Sequence, residues 1–321
     1  MKVMIVGAGV IGTIYGWALS AAGHSVVHLV RPGRGINFTN GIPVDIMDRR
    51  KNHEKWFTGN YAIKVIETLA PTNDYELLIV PVRHYAVEEV LSQVVPLTPH
   101  AEYLLLTQNW NGPAGIDKVL SLSKCIFGDA KAGGCFKDDK LIGTLYAIDL
   151  GCIENKHNDI LRKTKELFVS ADIKTTIQDN ILHYLWVQYA INGGFWPALV
   201  QAGSIKAVFK NAELVNKGFL GIKESLSVVR ARGVDLQKYP ETNIYFTNSV
   251  LKKMIMSIVM KMMFRFNKYI KRNSAHALAD PKEIKTFFFD LVNTGAELGI
   301  DMPVMNSFRK VIDEFNPGHS E

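Results

Sequence analysis

Cysteine is scarce in this chain: Cys125, Cys135 and Cys152 are the only three among 321 residues. They have neither the C-x-x-C spacing of a zinc site nor the even count of a disulfide scaffold, so a reduced, cytoplasmic setting is expected. Long apolar runs are missing too. No stretch reaches the roughly 18 uninterrupted apolar residues of a membrane-spanning helix, and stable membrane insertion is not expected. The apolar start is broken by Gly7, Gly9 and Gly12 with no small-residue cleavage site after it, so it does not read as a secretory leader. The one H-x-x-x-H pair, His24 and His28, spans the start of a predicted strand, where a four-residue step separates side chains by roughly 13 Å. No metal site is expected. No G-x-S-x-G elbow is present, which leaves hydrolase chemistry without support.

What is present is enough for a packed interior. Hydrophobic residues make up 47% and charged residues 21% of the chain, the balance of a globular protein. The length favours two domains. In the first half short apolar runs alternate with helical periodicity: Val3 to Val6, Ser25 to Val30, Glu76 to Val82, Glu102 to Thr107 and Ser123 to Phe127 read as strands, with Ile11 to Ala22 and Tyr85 to Val95 as helices. Near-continuous apolar strands separated by helices predict a parallel sheet covered on both faces. From about Asp179 the pattern is helical only, over Ile181 to Gln201, Ala212 to Arg232, Thr247 to Lys271 and Lys282 to Leu298. The expected architecture is an α/β Rossmann-type domain over residues 1–177 followed by an all-α domain over 178–321.

Gly7-Ala8-Gly9-Val10-Ile11-Gly12 lies between the first strand and the first helix, the context in which G-x-G-x-x-G binds a dinucleotide. Gly7 permits the tight turn, Gly9 lets a pyrophosphate approach the backbone, and Gly12 allows close helix–strand packing. At the end of the second strand an NAD-preferring protein would carry Asp or Glu for the ribose hydroxyls. This chain has Arg31, whose guanidinium suits a 2′-phosphate, so NADP(H) is the expected cofactor, with Arg34 a second partner for that phosphate.

These residues, together with Val82-Arg83-His84-Tyr85, Gln108-Asn109, Leu185-Trp186 and Asn192, resemble the ketopantoate reductase (2-dehydropantoate 2-reductase) family. The tail does so as well: Glu283-Ile284 followed by Gly295, Gly299-Ile300 and Pro303 is similar to that family's terminal signature. The resemblance implies a cleft in which NADPH reduces a small 2-oxo acid to a 2-hydroxy acid, an oxidoreductase step in pantothenate biosynthesis. By the same resemblance Arg31 and Arg83 lie near the adenosine phosphate, and Asn109 near the nicotinamide ribose and the substrate. Asn192 and Ser274 bind substrate, and Glu283 orders substrate and the catalytic group.

One position departs from the family's W-x-K-x-x-x-N helix. Here Trp186-Val187-Gln188-Tyr189-Ala190-Ile191-Asn192 puts Gln188 in the place of the catalytic lysine, and Trp196 stands where a second asparagine is expected. A neutral amide donates a hydrogen bond to a ketone oxygen but supplies neither a proton nor a full charge. Tyr184 shares a helix face with Gln188 and Asn192, and with His183 and Lys131 it is a substitute donor to be weighed against an ordinary structural role. Two functions follow: a reductase with altered proton chemistry, or an NADP(H)-binding metabolite sensor with little turnover.

Between Glu241 and Asp280 no acidic residue occurs, while Lys252, Lys253, Lys261, Arg265, Lys268, Lys271 and Arg272 do; without these seven charges the formal +6 becomes −1. Methionines and other apolar residues fall there at helical spacing. The stripe reads as packing on its own domain, with a partner or homodimer interface as the competing reading. No base-stacking or groove-reading motif accompanies the charge, so nucleic acid is not an expected partner.

Overall fold

Val3, Met4 and Ile5 are fully buried on successive positions of β1 (Lys2–Val6), the pattern of a strand covered on both faces. The computed structural model describes residues 1–51, 54–70, 73–153, 159–247 and 280–316, with the isolated positions Val259, Met262, Lys268, Arg272 and Leu278. They form two compact units, Met1–Leu182 and His183–Glu321. The expected boundary at 177/178 falls before the turn that precedes the long helix starting at Ile181, and that turn stays with the first unit because Ile181 packs directly on Gly151.

The first unit is built on a ten-stranded sheet. Its strands are β1, β2 (Ser25–Leu29), β3 (Ile42–Asp48), β4 (Lys55–Tyr61), β5 (Val65–Ile66), β6 (Leu77–Val80), β7 (Glu102–Leu105), β8 (Cys125–Lys137), β9 (Lys140–Gly151) and β10 (Lys174–Ile177). The spatial order is β4-β3-β9-β8-β7-β6-β1-β2-β5, with β10 beside β9. Pairs β3–β4 and β8–β9 are antiparallel and the rest parallel. From β1 the chain moves to β2 on one side and later to β6, β7 and β8 on the other. The order therefore reverses between β1 and β6, the point at which open α/β sheets take ligands.

Helix α1 (Val10–Ala21) follows β1, and its residues Gly12 to Leu19 are all buried. The reason is the curl of the sheet: Ile14 packs on Gly143 of β9, the Trp17 ring meets Phe57 of β4 at 5.0 Å, and the Tyr15 hydroxyl donates to the Ala147 carbonyl (2.9 Å). Helix α2 (Val87–Val94) and helix α3 (Asp159–Ser170) complete the unit. Several features differ from the sequence reading, which named neither β5, β10 nor α3. The strand expected over Ser123 to Phe127 continues to Lys137 and turns into an antiparallel hairpin with β9, because Asp129, Lys131 and the glycines break the apolar run that marks a strand. Strands β3 and β4 were not expected at all; β4 is an edge strand with six of its seven residues exposed, so burial left no pattern there.

The second unit is helical. Helix α4 (Ile181–Ala202) packs on α6 (Ala212–Ala231) and α7 (Pro281–Glu297), with α5 (Ile205–Val208), α8 (Pro303–Ser307) and α9 (Arg309–Glu314) around them. Gly193 and Gly194 set the closeness of that packing: a Cβ on Gly194 would stand 2.6 Å from the Ile222 Cα, and one on Gly193 2.6 Å from a Leu291 methyl. Helix ends are capped as their sequences imply, Asn211 accepting from the Leu214 amide (3.2 Å) and Asp280 from the Glu283 amide (3.1 Å). The helix expected over Thr247 to Lys271 lies outside the described residues apart from isolated positions. No helix among the described residues is long and apolar enough to cross a membrane.

Candidate functional site

The turn after β1 has the geometry its glycines imply. Gly7 has φ +88°, a conformation that a side chain makes strained, and its amide donates to the Leu29 carbonyl (2.7 Å), tying the turn to β2. A Cβ added at Gly7 or Gly9 would meet nothing within 4 Å, so open space lies over this backbone. At Gly12 a Cβ would stand 3.0 Å from Ile5 and 3.3 Å from Pro81, which shows how tightly α1 crosses β1 and brings the loop after β6 against the turn. Gly9 caps α1 without a side-chain hydrogen bond, and no acidic residue occupies the first turn. Such a turn offers amide groups and a positive dipole end to an anion, and a dinucleotide pyrophosphate fits it.

A buried histidine holds the turn from behind. His28 of β2 is fully buried; its Nδ1 lies 2.8 Å from the Gly7 carbonyl and its Nε2 3.2 Å from the Tyr61 hydroxyl. A carbonyl only accepts, so Nδ1 carries the proton and Nε2 accepts from Tyr61. Burial pulls the His28 pKa down to about 4, against the small upward pull of the Gly7 bond, and pushes Tyr61 up to about 12. Gly16 makes room for this ring, since a Cβ there would stand 2.4 Å from the His28 Nε2. The sequence reading weighed His28 only as half of a metal pair and missed this role, which depends on strand register.

Arg31 and Arg34 are exposed in the loop that follows β2. The loop is anchored by Glu67, just past β5, whose carboxylate accepts from the Gly33 amide (3.0 Å) and the Gly35 amide (2.6 Å). These two bonds lower the Glu67 pKa. No local sequence signal pointed to Glu67, because the contact spans 32 residues or more. Arg83 is exposed at the start of the 3-10 turn His84–Ala86 after β6.

Asn109, beyond the end of β7, is 5% exposed, and its side-chain amide donates to the Gly112 carbonyl. Next to it Gln108 reaches Asp129 (3.5 Å), and Lys131 lies 2.5 Å from Asp129 and 3.5 Å from Asp149, at a bulge between Lys131 and Ala132. Burial alone would lower the Lys131 pKa, but the two carboxylates outweigh it and raise it. Lys131 is therefore a locked ammonium rather than a ready proton donor at neutral pH.

In the helical unit Gln188 and Asn192 are half-buried on α4, and Tyr184 is buried. Between Gln188 and Asn192, Tyr189 stacks on Phe287 of α7 (3.7 Å) and donates to Asp290 (2.6 Å). Burial first, then the nearby Asp290 and Glu283 carboxylates, push its pKa far up. Glu283, half-buried in the first turn of α7, is thus close to the α4 turn that carries Gln188. Trp196 meets Phe287 at 4.6 Å, so the ring standing at the second asparagine's place is part of an aromatic cluster. His183 stacks on Trp186 (5.7 Å), which also lies 3.6 Å from the Arg232 guanidinium. Burial, with Lys238 and Arg232, lowers the His183 pKa. Ser274 lies outside the described residues, as does most of the 252–272 segment. An open groove of about 850 Å³ between α7 and α9 holds none of the residues named from the sequence. Among the described residues no cluster of His, Cys, Asp or Glu could hold a metal ion.

Residues 3–128 match the model of the family described as ketopantoate reductase PanE/ApbA. The 2-dehydropantoate 2-reductase of Pyrococcus abyssi (strain GE5 / Orsay) is 24% identical over 254 residues, covering 77% of this chain and 79% of its own length. A crystal structure of 2-dehydropantoate 2-reductase from Geobacter metallireducens GS-15 superposes with a TM-score of 0.72 at 18% identity, over 98% of this chain and 99% of the other. The ternary structure of D-mandelate dehydrogenase with NADH and anilino(oxo)acetate gives 0.75 at 13% identity, over 98% and 97%. The fold, an α/β unit with a parallel-dominated sheet followed by a helical unit, is that of these structures.

Proposed function

We propose that this chain belongs to the ketopantoate reductase family and reduces a small 2-oxo acid with NADPH. The observation that carries the reading is the glycine turn at the switch point of the sheet, with open space over Gly7 and Gly9 and Arg31 at the end of β2. The match of residues 3–128 to the family model supports it from the same end of the chain.

When bound, the dinucleotide supplies the hydride. The backbone of Gly7 to Gly12 and the first turn of α1 would hold its pyrophosphate, His28 holds the Gly7 carbonyl of that turn, and Arg31, Arg34 and Arg83 would neutralise its 2′-phosphate. Asn109 lines the nicotinamide end. Asn192 and Ser274 hold the substrate, Gln188 donates a hydrogen bond to its ketone oxygen, and Glu283 orients both. The proton comes from water, since Lys131 is held by two carboxylates and an amide has none to give. A positioned general acid accounts for roughly 10² to 10⁴ in rate, so turnover is slow beside that of a lysine-bearing enzyme.

The experiment is NADPH oxidation by the purified protein with 2-dehydropantoate and a panel of other 2-oxo acids, with NADH alongside and Gln188→Lys in parallel. Turnover of one 2-oxo acid is the expected result, and a rise in Gln188→Lys with 2-dehydropantoate identifies the missing acid. The second reading, an NADP(H)-binding metabolite sensor, is favoured by Gln188. It prevails when NADPH binds, no panel member turns over and Gln188→Lys is equally inert. A protein that binds no nicotinamide nucleotide refutes both.

A further inference from the structure

The loop that would face the adenosine ribose carries charges of both signs. Arg31 and Arg34 project from it, while the Glu67 carboxylate, arriving from the end of β5, takes the amides of Gly33 and Gly35, two and four residues beyond Arg31. Each Glu67 oxygen accepts one of these bonds, which fixes the carboxylate in place and leaves further lone pairs on both oxygens. The two amides are then already satisfied and do not receive a phosphate. An anion so placed accepts hydrogen bonds from ribose hydroxyls and repels a dianionic 2′-phosphate; arginine does the reverse.

We propose that Glu67 is a specificity-determining residue for the cofactor: bound to the Gly33 and Gly35 amides of the loop that carries Arg31 and Arg34, it offsets their preference for the 2′-phosphorylated nucleotide and lets the chain take NADH as well as NADPH. The inference rests on the proposed nucleotide site and names the group that reads the adenosine ribose there. Glu67 stands at the edge of the sheet rather than in its core, so its replacement leaves the fold intact.

Dissociation constants for NADPH and for NADH, read by fluorescence titration of the full chain without substrate, test it in wild type, Glu67→Gln and Glu67→Asp. Removing one charge beside a dianion in a water-like dielectric changes affinity on the order of tenfold. Glu67→Gln is expected to bind NADPH more tightly and NADH more weakly, moving their ratio by that order, and raised salt should shrink the NADPH gain. Glu67→Asp keeps the charge and stays near the wild-type ratio. A loop merely loosened by the substitution weakens both nucleotides together, and that result, or an unmoved ratio, overturns the proposal while the nucleotide site stands. Wild-type protein that binds neither nucleotide overturns both.

Discussion

His28→Asn isolates the titration of the imidazole behind the glycine turn. Asparagine keeps an amide donor for the Gly7 carbonyl but does not ionise. In the folded chain His28 has a pKa of about 4, against 6.5 for the exposed side chain, so between those values the unfolded chain binds the proton and the folded chain does not. Stability is therefore fully present above the unfolded value and is lost as pH falls through 6.5 toward 4. Integrating the linkage from pH 7.5 to 5.5 gives a loss of about 1.3 kcal/mol from this one group, rising to about 3 kcal/mol once pH is below both values. Urea unfolding of wild type and variant at the two upper pH values, compared as a difference of differences, cancels the carboxylates common to both. The wild type should lose about 1.3 kcal/mol more than the variant over this interval. Equal losses would mean that the folded chain takes up this proton as readily as the unfolded one, which would refute a buried His28 whose Nε2 is kept as an acceptor from Tyr61.

Gly9→Ala and Gly7→Ala should separate binding from folding. Gly9 has φ −74° and a Cβ there meets nothing, so that variant melts within about 1 kcal/mol of wild type while NADPH titration shows weakened binding. Gly7 at φ +88° should lose about 1–3 kcal/mol in the same melts, and a stable Gly7→Ala would refute the strained turn. Lys131→Met leaves Asp129 and Asp149 as direct partners across the β8–β9 ladder. Thermal melts should show a loss of about 3 kcal/mol at neutral pH. A loss within about 0.5 kcal/mol of zero would refute the ion cluster.

The elements nearest the proposed nucleotide site were legible in sequence because their signals are local. A β-branched run, a glycine spacing and a helical period meet within the first 22 residues, and β1, the turn and α1 follow from them to within a residue. The long helices α4, α6 and α7 were readable from their helical period, whereas the short α5, α8 and α9 were not named. Strand β4 and the long β8–β9 hairpin were not legible, since edge exposure and interior glycines erase the alternation by which a strand is recognised; β3 keeps that alternation, with Ile42, Val44 and Ile46 buried, and was passed over.

Strand and helix periodicity thus determined by themselves the class of fold and the order of its two parts, and the glycine spacing with the arginine after β2 named the end at which a dinucleotide is proposed to sit. What surrounds that end was settled only by tertiary structure. His28 reaches Gly7 through the register of β2 against β1, Glu67 reaches Gly33 and Gly35 because β5 pairs with β2, and Lys131 meets its second carboxylate, Asp149, because β8 folds back on β9. Each of these contacts joins residues far apart or on different strands, and hydrogen bonds and charges act over a few ångströms of space, a distance that spacing along the chain does not report.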